Sequence, residues 1–246
     1  MLRCFCLLIA LTAFQAFQPC DASAAEKTRV LIVTGGHGFE KEQFFQVFKD
    51  NPEITYEAVE HPSAQARFAT DESAKYDVVL LYDMYQKLTD EVKTNFVLLL
   101  KNGKGLVVMH HAIANYQEWP EYEKIIGAKY YLAPTVREGV EKKRSAYQHD
   151  VNFKVKVVDP KHPVTQGMSD FEIRDETYKW FDIAADVTPL LKSDHPESSP
   201  VVGWAKTYEK SRVVYLQLGH DHYAFENPAF RKVVQQAIRW TAKPKR

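Results

Sequence analysis

The 246-residue chain has three cysteines, and all of them, Cys4, Cys6 and Cys20, fall before residue 25. Beyond that point there is no thiol to close a disulfide, ligate a soft metal or act as a nucleophile. Net charge is missing as well. The 32 basic and 32 acidic side chains cancel, which removes any general pull on nucleic acid or an anionic membrane. Ten glycines and twelve prolines are too few for a collagen-like or low-complexity chain. With 45% hydrophobic and 26% charged residues, the composition is that of a globular domain, not a disordered one. After the first two dozen residues no apolar run approaches membrane-spanning length, and no internal repeat is found.

The N-terminus reads as an address. Arg3 supplies a short positive region, Cys4 to Ala16 is almost wholly apolar, and Ala22-Ser23-Ala24 offers a small-x-small cleavage signal. That apolar run, about 13 residues, is too short to cross a bilayer comfortably. Phe17-Gln18-Pro19 lacks the small residues expected before a lipidated Cys20. Residues 1–24 are therefore expected to be a signal peptide and 25–246 a single domain, exported to the periplasm or outside the cell with no membrane attachment after cleavage. Losing Arg3 and Asp21 keeps the mature chain neutral, and it also loses every cysteine.

Beyond the leader, strands and helices alternate. Arg29 to Thr34 is a β-branched apolar run suited to a strand buried on both faces. Gly35-Gly36-His37-Gly38 breaks it, and Glu40 to Asp50 carries Phe44, Phe45, Val47 and Phe48 as a helical stripe. Ile54 to Val59 and Tyr76 to Tyr82 read as further strands. Thr89 is placed to cap a helix over Asp90 to Lys101, closed by Asn102-Gly103, and Gly105 to Met109 is a fourth strand. Trp119-Pro120-Glu121 opens a helix ending near Gly127. Residues 128–200 break the pattern with turns at Asp159-Pro160, His162-Pro163 and Gly167 and short strand candidates at Val151 to Val158 and Phe171 to Arg174. They are read as an elaboration on the core. Pro200 to Trp204 and Arg212 to Leu218 resume the core, and a last helix runs from about Asn227 to Thr241. The expected fold is α/β, with a mostly parallel sheet covered on both faces.

Ligands in such sheets bind outside the carboxyl ends of the strands. Three strand ends here carry histidine: His37 after the first, His110-His111 after the fourth, and His220-Asp221-His222 after the last, with Asp83 closing the third. One histidine at a strand end is usually a packing residue, but parallel strands would bring all three ends to one edge. If strand geometry persists, His110 and His111 point to opposite sides, and His111, further past the strand, is the one expected in the cleft. The glycine loop lacks the Lys-Ser/Thr of a P-loop and the spacing of a dinucleotide fingerprint, so no nucleotide cofactor is expected. A divalent metal stays open, with His37, His111 and His220 as the candidate ligands. Asp175-Glu176-Thr177-Tyr178 would offer acid, base or hydroxyl partners if its loop folds over the strand ends. Aromatics such as Tyr116 and Trp119 lie near these motifs, as a carbohydrate cleft would need.

Val33-Thr34-Gly35-Gly36-His37-Gly38-Phe39, Leu106 to Ala112 and Trp119-Pro120-Glu121-Tyr122 resemble the trehalose-utilisation (ThuA-like) family. So do His162-Pro163-Val164-Thr165-x-Gly167, Asp175 to Tyr178, Arg212 to Asp221, Asn227-Pro228-x-Phe230-Arg231 and Ile238-Arg239-Trp240, in order over residues 28–241. The resemblance implies a flavodoxin-like three-layer sandwich related to the class I glutamine amidotransferases. It also marks a departure from them. Met109-His110-His111 stands where their nucleophile would be, so glutaminase chemistry is excluded. The resemblance implies a small-molecule carbohydrate ligand, in particular an oxidised 3-keto disaccharide. Carried over by position, His37, His111, Glu176, Tyr178, His220 and Asp221 are the expected catalytic residues, and Asp83, Tyr116 and Trp119 the expected substrate-binding ones. Isomerisation, elimination and hydrolysis are all open to such a cluster, as is a non-catalytic sugar-binding module or scaffold on the same fold.

Overall fold

The structure is a computed structural model that describes residues 26–242. The expected leader and all three cysteines lie outside the described residues. The chain forms β1 (Thr28–Gly35), α1 (Lys41–Lys49), β2 (Ile54–Glu60), β3 (Val78–Asp83), α2 (Asp90–Lys101) and β4 (Gly105–Met109). Then come α3 (Pro120–Ile126), β5 (Ala128–Lys129), and a hairpin of β6 (Thr135–Arg137) and β7 (Val140–Lys142). The long strands β8 (Ala146–Val157) and β9 (Phe171–Lys179) follow, with β10 (Asp182–Ile183), β11 (Thr188–Lys192), β12 (Val201–Tyr208) and β13 (Ser211–Leu216). A short α4 (His222–Phe225) and α5 (Pro228–Thr241) close the chain. Among the described residues no helix is long and apolar enough to cross a membrane.

One nine-stranded sheet runs in the order β2-β1-β3-β4-β13-β12-β11-β8-β9. Its first five strands pair in parallel. They have the flavodoxin-like order, with β13 taking the fifth place although it is the last strand in the chain. The other four are antiparallel. Residues 128–200 are thus the expected elaboration on the core, and most of their strands extend its sheet. β8 and β9 also outrun the strand candidates read from sequence, because Tyr147 to Asp150 are exposed in a row and Asp175 to Thr177 are polar yet buried in a row, so neither stretch alternates.

Alternation along β1 builds the layers. Val30 and Ile32 pack with Phe44 and Phe48 of α1 and Phe230, Val233 and Ile238 of α5. Leu31 and Val33 point the other way, toward Phe96, Leu99 and Leu100 of α2 and Ile125 and Ile126 of α3. Local signals set the helix limits. The Thr89 hydroxyl accepts from Val92 N, Asn227 accepts from Ala229 N and Phe230 N, and Gly127 ends α3 at φ +77°.

The turn after β1 needs its glycine. Gly36 sits at φ +77°, and a Cβ there would stand 2.3 Å from the Met84 carbonyl oxygen. Backbone cannot yield as a flexible side chain would. Gly36→Ala is expected to lower stability by about 1–3 kcal/mol or more, read as a shift in the midpoint of urea unfolding at unchanged slope. An unshifted midpoint would show that the β1 turn can be rebuilt without cost.

Candidate active site

His110 is where the strand ends become a site. Immediately after β4 its backbone turns into the left-handed region, φ +52°, and starts one turn of 3-10 helix over His110–Ala114. A residue other than glycine held there is strained by about 1–3 kcal/mol. The strain is held in place by partners on both sides. Nδ1 lies 2.7 Å from the Gln217 carbonyl oxygen, and Tyr215 Oη donates to the His110 carbonyl at 3.2 Å. A carbonyl oxygen only accepts, so the ring proton is on Nδ1 and Nε2 faces the cleft.

That Nε2 meets three groups: Glu176 Oε2 at 3.0 Å, His220 Nδ1 at 3.2 Å and Tyr178 Oη at 2.9 Å. Glu176 and Tyr178 come from β9, two residues apart and hence on one face. His220 Nδ1 is 3.5 Å from Glu176 Oε2, and His149 Nδ1 from β8 is 3.2 Å from the other carboxylate oxygen. The β8–β9 pairing slips between Gln148 and Val151, with Asp150 at φ +58°, so His149 sits in a bulge beside Glu176. Bulges at sheet edges commonly re-aim a side chain in this way.

Asp175, one residue before Glu176, is fully buried and makes no contact with the cleft. Its carboxylate accepts from Glu176 N (2.8 Å), Gly219 N (2.8 Å) and His220 N (2.9 Å). This fastens the loop after β13 to β9. Burial raises its pKa, and the backbone N–H groups and His110 work against that rise. For Glu176, burial also pushes up, but the neighbouring His110 and His220 imidazoles outweigh it and hold the carboxyl well below its ordinary range. The hydrogen bond to Glu176 raises His220, against partial burial. Burial and then the Glu176 charge push Tyr178 well up, so it stays a phenol with a proton to give.

Ring contacts extend the cluster into a continuous row. Centroids are 4.5 Å apart for His37 and His111, 5.2 Å for His111 and His110, 5.3 Å for His110 and His220, and 4.6 Å for His220 and His149. Tyr147 lies 5.2 Å beyond His149, and Tyr223 stacks on the Arg174 guanidinium at 3.9 Å. Both tyrosines are exposed, which gives the opening an aromatic rim. Cavities of about 930 and 840 Å³ lie elsewhere, along the β6–β7 hairpin, and share Lys129 and Arg137. They hold none of these histidines.

Several residues stand apart from their expected places. His110, not His111, joins Glu176 and His220, because the left-handed turn ends the strand alternation one residue early. His111 is buried behind it with neither ring nitrogen hydrogen-bonded, and burial, then the nearby His110 and His37, lower its pKa well below the ordinary value. Asp221 faces away and caps α4 through Tyr223 N. Asp83 and Tyr116, expected to touch substrate, are buried. Asp83 accepts from Asn115 Nδ2 (2.8 Å) and Tyr116 Oη (3.1 Å) and lies 3.1 Å from His61 Nε2. Trp119 packs in the same layer. His149 is the residue that sequence reading missed, since a histidine in a polar edge strand carries no motif. Among the described residues, His110, Glu176 and His220 form the group able to hold a metal ion, their ligand atoms all within 4.8 Å of one another.

Comparison with known proteins bears on the family and the fold. The family described as trehalose utilisation (ThuA) matches residues 29–241. No curated protein matches the chain. Among solved structures, a ThuA-like protein from Parabacteroides merdae is 18% identical, with TM-score 0.75, over 89% of this chain and 91% of that one. Another from Bacteroides uniformis is 20% identical, with TM-score 0.67, over 92% and 95%. A cold-adapted β-galactosidase from Rahnella sp. R3 shares the fold at 12% identity and TM-score 0.57, over 87% of this chain and 31% of that enzyme.

The Asp175 tie gives a direct test. Asp175→Ala would leave three N–H groups without an acceptor, each worth about 1–3 kcal/mol when desolvated. Denaturation should show a loss of several kcal/mol, and the His220 ring resonance should move. A variant as stable as the parent, with His220 unmoved, would show that the loop is held some other way.

Proposed function

The chain belongs to the trehalose-utilisation family, and from that premise we propose that it processes a small carbohydrate at the cluster of His110, Glu176, His220, His149 and Tyr178. The proposed substrate is a keto-sugar or a glycoside. The observation that carries the reading is a single carboxylate held between three imidazoles beneath an exposed tyrosine rim. Sugars present apolar C–H faces to aromatic rings and hydroxyls to carboxylates and imidazoles, so the opening offers both kinds of contact.

The groups divide by position. His110, Glu176 and His220 converge on one point and would hold the reacting sugar oxygen. Tyr178, which keeps its proton, is placed to give one to that oxygen. His149 is half-exposed beside Glu176, where an imidazole can take a proton from the substrate and pass it to water. Removing a proton from the carbon beside a sugar carbonyl would allow isomerisation. If the neighbouring carbon bears the glycosidic oxygen, the same step would allow elimination. Export through the leader read in residues 1–24 belongs to the same proposal and would place the reaction in the periplasm or outside the cell.

The test is to incubate the purified protein with a panel of 3-keto and ordinary glycosides and follow products by mass spectrometry. Turnover of at least one keto-glycoside is expected. Tyr178→Phe should cut it by roughly 10²-fold or more while leaving the fold intact. Tight binding with no product across the panel would replace the enzyme with a sugar-binding module. Neither binding nor turnover would sink the carbohydrate reading altogether.

A further inference from the structure

We propose that His110 Nε2, His220 Nδ1 and Glu176 Oε2 are the ligands of one divalent transition-metal cation of the zinc type, with a fourth position open to an oxygen ligand. The three atoms form a triangle with edges of 3.0, 3.2 and 3.5 Å. A tetrahedral zinc ion with bonds of about 2.0–2.2 Å spaces its donors about 3.3–3.5 Å apart, so two imidazoles and a carboxylate already stand close to that spacing. The ligand set of two histidines, one glutamate and an open position is one that catalytic zinc sites use. Two nitrogen donors disfavour magnesium and calcium, which prefer oxygen throughout.

The surroundings are built as such a site requires. Nδ1 of His110 donates to the Gln217 carbonyl, which fixes the tautomer and turns the Nε2 lone pair inward, the usual arrangement behind a ligating imidazole. His220 is anchored through its backbone N–H to Asp175, and the second oxygen of Glu176 is met by His149 at 3.2 Å. Three inward-facing lone pairs this close repel one another unless positive charge sits among them. A shared proton relieves one pair, whereas a cation relieves all three.

Exposure gives the site a direction. The side chains of His110 and Glu176 are 1% and 7% exposed, that of His220 24%, so the open side lies toward His220 and the rim. The Tyr178 hydroxyl, now 2.9 Å from His110 Nε2, would give up that contact and be left to donate to whatever oxygen takes the fourth position. The ligand set differs from the His37, His111 and His220 expected from sequence in two of its three members. Metal binding stands on this geometry alone. Its use to polarise a sugar oxygen rests on the function proposed above.

The experiment is to strip the full chain with a chelator, dialyse it, titrate Zn²⁺ calorimetrically, and count bound metal by elemental mass spectrometry. One zinc per chain is expected, with a rise in melting temperature. Co²⁺ in its place should show the intense visible absorption of a four-coordinate ion. Glu176→Gln and His220→Ala should each weaken binding by more than about 100-fold, and His149→Ala, which removes only a supporting contact, by about 10-fold. Folded parent protein that takes up no stoichiometric zinc would overturn the proposal, and so would uptake that survives loss of both Glu176 and His220. Zinc uptake with neither glycoside binding nor turnover would keep the metal site and sink the carbohydrate reading. Turnover by metal-free protein would keep the carbohydrate reading and overturn the metal's part in the reaction.

Discussion

The carboxylate of Asp175 takes three backbone N–H groups in a fully enclosed position, and the rest of the site depends on that tie. β9 lies at one edge of the sheet, with three strands between it and β13. The ribbon of β8 and β9 is joined to β11 at one end, through Lys156, Val157 and the adjoining Val158. Its outer end leaves the sheet and lies against the strand ends, where Asp175 fastens it to the loop after β13. Without this contact Glu176 and Tyr178 would have no reason to face His110. A buried carboxylate with three donors is favourable where one with none would be costly, so the same group that holds the loop also demands that the loop be there.

The parallel half of the fold supplies the other constraint. β4 ends at Met109, and the left-handed turn at His110 carries its ring over to the end of β13 at Gln217. Behind it lie His111, whose ring makes only aromatic contacts, and a buried hydrogen-bonded group of His61, Asp83, Asn115 and Tyr116. That layer is polar yet buried, with Tyr85 stacked on His61 at 4.4 Å. It ties the segments after β2, β3 and β4 to each other beneath the cleft, whose rim, carrying Tyr147 and Tyr223, faces solvent.

Much of the framework could be read from the sequence. The limits of α2 and β4 follow from Thr89, Gly103 and Gly105, and the histidines at three strand ends point to the correct edge. Glu176, Tyr178 and His220 were likewise legible, through motif and position. The choice of His111 over His110 failed because period-2 alternation assumes that the strand continues, and the backbone departs from it at that very residue. Asp83 and Tyr116 were misplaced for a related reason: strand-end position says which edge a residue lies on, not how deep. His149 was invisible because its placement comes from a bulge, and a bulge depends on the partner strand, which a local window does not contain. Asp175 sat within the motif, but its task is to hold backbone, and nothing in its type distinguishes that from chemistry.

His110 meets Tyr178 across 68 residues of chain, Gln217 across 107 and His220 across 110. Contacts at such separation close large loops, at a cost in chain entropy. The parallel strands β1 to β4 are neighbours in the first half of the chain, whereas β13 and the β8–β9 ribbon come from the second. All must be in place before the imidazoles and Glu176 meet. A chain that has collapsed, or has folded only its first half, therefore carries the histidines without the chemistry. The cluster is a product of the complete fold, and the reactive surface stays silent until the whole architecture is in place.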